Sequence, residues 1–148
     1  MIKKVLILVF LFTSSCGYTP IYINKNMGII EFSKIDLSGN EDVNKKLINI
    51  LRIKEAITEN DLQLMLKSNY EITETSKDSR GVINSYRSSI DVEILIKKND
   101  KIKKIKNFSR SFNYNSLESR AELIEYQNEI ENNLINKIVD DIILFLNL

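Results

Sequence analysis

Histidine and tryptophan are absent from this 148-residue chain, and it holds one cysteine, one proline and four glycines. Without histidine the side chain that most often moves protons near neutral pH is missing. One cysteine closes no disulfide within the chain, and no Cys/His spacing of a metal site can be built. The few glycines form no phosphate-cradling loop. Asp140 and Asp141 are an acid pair only on paper, because adjacent positions on a helix diverge. No catalytic residue, cofactor or metal is therefore expected, and the chain reads as a non-enzyme. Charge is balanced as well, with 21 lysines and arginines against 20 acids, so no global field gathers nucleic acid. Asparagine, isoleucine and lysine dominate, which reads as the codon bias of an AT-rich genome.

The N-terminus has a direction. Met1-Ile2-Lys3-Lys4 is positive, Val5 to Phe12 is unbroken apolar, and small residues follow, the layout of a bacterial secretory signal. A spanning helix needs roughly 20 apolar residues, and this chain turns polar at Thr13. Ser15 directly before Cys16 resembles a lipobox, in which the cysteine is lipidated and becomes the new first residue; Thr13 stands where leucine is usual. The other reading, an ordinary signal peptide followed by a free thiol, leaves Cys16 without a use. Two or more acyl chains, palmitate among them, anchor stably at about 0.8 kcal/mol per buried CH2, whereas one does so marginally. Residues 1–15 are thus expected to be removed, 16–27 to form a lipidated N-terminus and extended tether, and 28–148 to form one domain. Loss of Lys3 and Lys4 leaves 19 basic residues against 20 acidic ones.

Within that domain, Ile29 to Leu37 is rich in β-branched residues and closes on Ser38-Gly39-Asn40, a first strand. Asn40 or Asp42 can cap a helix with Val43, Leu47, Ile50 and Leu51 on one face, ending near Lys54. Leu62, Leu64, Leu66, Tyr70 and Ile72 alternate with polar residues, interrupted at Ser68, and predict a long strand to about Thr75. Ile90, Val92, Ile94 and Ile96 mark the clearest strand, starting near Tyr86. Asn99-Asp100 suits a two-residue hairpin turn because both residues tolerate positive φ. A fourth strand, Lys101 to Tyr114, follows with Phe108, Phe112 and Tyr114 on one face. Ser119 and Glu122 match a capping box before a helix striped by Ile130, Leu134, Ile138, Ile142 and Phe145. The order β-α-β-β-β-α predicts an α+β two-layer sandwich: a four-stranded, largely antiparallel sheet with two helices on one face. About 120 residues bury enough surface to need no disulfide or metal.

Cys16-Gly17-Tyr18-Thr19-Pro20-Ile21-Tyr22 resembles the Cys-Gly-Phe-x-Pro-Leu-Tyr start of the LPS-assembly lipoprotein family, LptE, in its alphaproteobacterial form. Phe112-Asn113-Tyr114-Asn115 before an acidic amphipathic helix is similar to the family's tail, and Tyr86-Arg87 sits where members place arginine and tyrosine. The first helix has lysines where the family has arginines. The resemblance implies an outer-membrane lipoprotein on the periplasmic side. Such a protein plugs the LptD β-barrel, assists its assembly and binds lipopolysaccharide in transit. An auxiliary lipoprotein of an ABC-type lipid transporter, or a periplasmic lipoprotein with another ligand, would share anchor and fold without a barrel partner.

One charge cluster stands out in this neutral chain: Lys97, Lys98, Lys101, Lys103, Lys104 and Lys106, with Arg110 beyond. Such a patch suits lipid A phosphates, and equally it guards an edge strand against unwanted pairing. The family resemblance adds Arg87. Arg87, Lys101, Lys103, Lys104, Lys106 and Arg110 are thus the candidate ligand residues, and Cys16 the lipidation site.

Overall fold

A computed structural model describes residues 28–57 and 61–146; the expected signal peptide, Cys16 and the tether through residue 27 lie outside the described residues. In chain order the elements are β1 (Ile30–Phe32), β2 (Lys34–Gly39), α1 (Glu41–Leu51), β3 (Ile53–Glu55), β4 (Leu62–Lys77), β5 (Ile83–Lys98), β6 (Lys101–Asn115) and α2 (Arg120–Leu146). The main sheet has the order β2-β4-β5-β6, and β1 and β3 form a separate pair. β2 lies parallel to β4, while β4, β5 and β6 are an antiparallel meander. This is the expected α+β sandwich, with a small parallel pair added.

The expected first strand divides at Ser33. Its backbone N–H bonds the Leu62 carbonyl at 2.7 Å, and its hydroxyl lies 2.9 Å from both that oxygen and Asp61 Oδ1. Ser33 thereby anchors the bend between β1 and β2 to the start of β4. α1 begins as expected, with Asn40 Oδ1 accepting the Val43 N–H at 3.0 Å. It ends earlier than expected: Arg52 takes left-handed angles (φ 52°), and the turn sends Ile53 alongside Ile30.

The passage from β2 into α1 also explains why Ser68 breaks the alternation in β4. Ser68 O accepts the Asn40 N–H at 2.9 Å, and Ser68 Oγ lies 2.6 Å from Asn44 Oδ1. Asn44 Nδ2 in turn donates to Ser38 O at 2.9 Å. Gly39 sits at φ +85°, where an added Cβ would come within 1.9 Å of Ser68 O, so no side chain fits there. Burial of these polar groups costs little because each has a partner. Among the described residues no buried side-chain nitrogen or oxygen lacks one.

One face of the sheet is dry. Leu64 and Leu66 of β4, Ile90, Val92, Ile94 and Ile96 of β5, and Phe108 and Tyr114 of β6 pack beneath the two helices. α1 contributes Val43, Leu47 and Leu51; α2 contributes Ile130, Leu134, Ile135, Ile138, Val139 and Ile142; Phe32 and Ile53 close one end. All of these lie between Phe32 and Ile142, so the core closes without the segment upstream of residue 28. The other face of the sheet carries no described element.

Candidate functional site: the β5–β6 hairpin and the open sheet face

Asn99 (φ 48°) and Asp100 (φ 59°) both adopt positive φ and close the hairpin, as their side chains allow. Six lysines flank the turn between residues 97 and 106 against one acid, Asp100. Register decides where they go. Ile96 pairs with Lys104 but Lys97 pairs with Ile102, so Lys103 is the additional residue of a bulge. Lys104, Lys106, Phe108 and Arg110 stand opposite Ile96, Ile94, Val92 and Ile90, and directly opposed residues share a face. They therefore belong to the helix side.

There they serve α2. Lys104 Nζ donates to Phe145 O at 3.3 Å and lies 5.4 Å from the Phe145 ring centroid. Lys106 Nζ lies 5.3 Å from the Phe108 ring and 5.8 Å from that of Phe145. The two rings meet edge to face at 5.8 Å. The last turn of α2 contains no basic residue of its own, so these two lysines supply the positive charge that a helix C-terminus favours. Arg110 pairs with Asp141 of the same helix.

Arg87 is remote from the lysines. It opposes Thr73 and Asn113 on the open face, and its Nε–H donates to Asn113 Oδ1 at 2.7 Å. Ten residues of β5 separate it from Lys97, about 33 Å along the strand. Of the six candidate ligand residues the hairpin thus brings Lys101 and Lys103 together in solvent, and neither is ion-paired among the described residues. Lys104, Lys106 and Arg110 are engaged with α2.

The open face holds a second feature that the sequence reading passed over. A row Met65-Leu95-Ile105 crosses the three long strands, followed by the rows Lys67-Glu93-Asn107 and Asn69-Asp91-Ser109. The last two surround a shallow depression of about 280 Å3. Its signal was the polar half of each alternating strand, which pattern analysis assigns to solvent. Asp91 and Glu93 at its centre suit hydroxyl or cationic groups better than phosphates.

Elsewhere the polar groups stabilise structure. Ser88 Oγ lies 3.1 Å from Tyr114 Oη, Tyr114 stacks with Tyr86 and meets Tyr126 edge to face, and burial pushes the Tyr70 hydroxyl pKa up. Asp78, whose carboxyl pKa is lowered chiefly by the Val82 backbone N–H, shapes the β4–β5 turn. Asp140 faces water while Asp141 turns to Arg110. Among the described residues no group of three or more His, Cys, Asp or Glu side chains could hold a metal ion. No described helix is long and apolar enough to cross a membrane.

No protein-family model matches the sequence, and no curated protein matches it. The fold does have relatives. Rare lipoprotein B from Shewanella oneidensis superposes with a TM-score of 0.56 at 15% identity, covering 77% of this chain and 93% of that one. An uncharacterized lipoprotein B from Nitrosomonas europaea gives 0.55 at 13% identity, with 80% and 86% covered. A homologue of a neuraminyllactose-binding hemagglutinin from Helicobacter pylori gives 0.50 at 14% identity, with 80% and 82% covered. The chain shares the fold of these proteins over about four-fifths of its length.

Proposed function

We propose that this chain is a lipoprotein of the outer membrane that plugs and assists an LptD-like β-barrel and binds lipopolysaccharide during its transport. The observation that carries this reading is the conjunction of two independent likenesses: a lipobox and Cys16-Gly17-Tyr18-Thr19-Pro20 start at one end, and a domain with the fold of rare lipoprotein B behind it. A fold by itself does not choose a ligand, and the same architecture serves the hemagglutinin homologue. The order anchor, tether, domain narrows the choice to an envelope lipoprotein. Lys101 and Lys103 are the hairpin cations open to lipid A phosphates, and Arg87 with the open face forms a separate surface.

The deciding experiment is affinity purification of the tagged protein from detergent-solubilised outer membrane. Recovery of a large β-barrel in equal amount supports the reading. Recovery of inner-membrane ABC-transporter subunits instead assigns the chain to that other class of envelope lipoprotein. Cys16→Ala should remain periplasmic and lose membrane association when the barrel is depleted.

A further inference from the structure

The topology collects several features at one end of the molecule. Lys34 at the start of β2 pairs with Gln63 at the start of β4, and Leu62 pairs with Lys98 beside the β5–β6 turn. Phe145 near the end of α2 packs on Phe108 and Lys104 of that hairpin. The chain comes into the domain here too, where the Ile30 N–H bonds the carbonyl of Arg52 just past α1, at 3.2 Å. Ile102 is 59% exposed and Ile105 is 56% exposed, both on the open face with Lys97, and Ile29, Ile57 and Leu144 are exposed as well.

We propose that this end of the domain rests on the surface of an anionic phospholipid bilayer, with Lys101 and Lys103 among the headgroups and Ile102 between them in the interface. Exposed aliphatic side chains set among lysines make up an interfacial contact: the alkyl groups enter the boundary and the lysine stems follow while their ammonium groups stay with phosphate. Charge selects the end. Residues 97–106 carry six lysines and Asp100, and Lys34, Arg52 and Lys54 at the same end match Glu31, Glu55 and Asp61 in number, whereas around the β4–β5 turn and the start of α2 Glu71, Glu74, Asp78, Glu118, Glu122 and Glu125 outnumber the cations Lys77, Arg80, Arg87 and Arg120. Exposed apolar side chains such as Ile72 and Val82 occur at that far end also, but an anionic surface repels their surroundings. The chain outside the structure agrees. Eleven residues separate Cys16 from Gly28, a reach of at most about 40 Å, and they join the domain at the lysine-rich end.

The inference needs neither lipopolysaccharide nor a barrel partner, so its failure and that of the proposed function are separable. The same lysines cannot serve bilayer and lipid A at once, and the test decides between them. Because the core closes downstream of residue 28, residues 17–148 can be used without an anchor. The chain has no tryptophan, so Ile102→Trp and Val82→Trp each introduce a single indole, excited selectively over the tyrosines, at opposite ends. Vesicles of phosphatidylcholine with about one-third phosphatidylglycerol, carrying brominated acyl chains, should blue-shift and quench the Ile102→Trp protein and leave the Val82→Trp protein unchanged. Adding Lys101→Gln and Lys103→Gln should weaken partitioning about thirtyfold, which is about 2 kcal/mol. Equal quenching at both positions, no quenching at either, or equal binding to pure phosphatidylcholine overturns the proposal. So does a response of the Ile102→Trp protein to lipopolysaccharide micelles but not to these vesicles, which would make the hairpin a ligand site.

Discussion

At the scale of single residues, the junction around Gly39 and Ser68 is the least replaceable part of the domain. Gly39→Ala would place a methyl group against Ser68 O in a left-handed backbone, so β2 must shift from β4 or the first turn of α1 must open. A loss of more than about 2 kcal/mol in urea unfolding is expected. Asp140 tests electrostatics in the opposite sense. Partial loss of hydration beside the helix, and secondarily the charge of Asp141, hold its carboxyl pKa above the usual value, so folding favours the protonated acid. The stability it contributes is present below the unfolded pKa and is lost as pH rises through the folded one. Asp140→Asn should therefore stabilise the protein at pH 7 by no more than about 0.5 kcal/mol, since the site is exposed. That gain in melting temperature should vanish below about pH 4.

Elements rather than residues carry the central strand and the final helix. Ile94 of β5 is fully buried between α2 and its strand neighbours, and Ile94→Asp puts a charge there without a partner. A cost of roughly 3–5 kcal/mol is expected, read as loss of cooperative unfolding at a temperature where the parent is intact. Lys104→Gln removes a charge from the end of α2 and should raise amide exchange in its last turn while leaving β5 protected. Alternation made β4 and β5 legible, and the stripe from Ile130 to Ile142 made α2 legible, because each buries a row of side chains on one face, whereas β6 buries only Phe108 and Tyr114 and leaves Phe112 half exposed. β3 was not legible: Ile53-Lys54-Glu55 is too short to show a period, and its pairing with β1 depends on the left-handed turn at Arg52. The lysines were misleading for a related reason. Proximity in sequence groups residues 97 to 106, but one bulge at Lys103 and the side-chain period of two turn Lys104 and Lys106 to the helix side, where they reach the last turn of α2. Arg87 was attached to them by family resemblance and lies a strand's length away.

Over the whole molecule, the sheet is built from two kinds of neighbour. β4, β5 and β6 follow one another through short turns, whereas β2 reaches β4 only across α1, β3 and the stretch to Leu62. Closing distant segments costs more chain entropy, so pairings between them form later. The meander should assemble first, with α2 folding back along it, and β2 should lock last; pulsed hydrogen exchange during refolding would show β5 amides protected ahead of those of Ile35 and Leu37. The proposed function has the chain exported from its N-terminus, which would deliver β2 before any other strand of the main sheet. The first strand of the main sheet in the chain is thus the last to be sealed, and in that interval the segment Leu62–Ser68 presents a bare edge to whatever strand reaches it first.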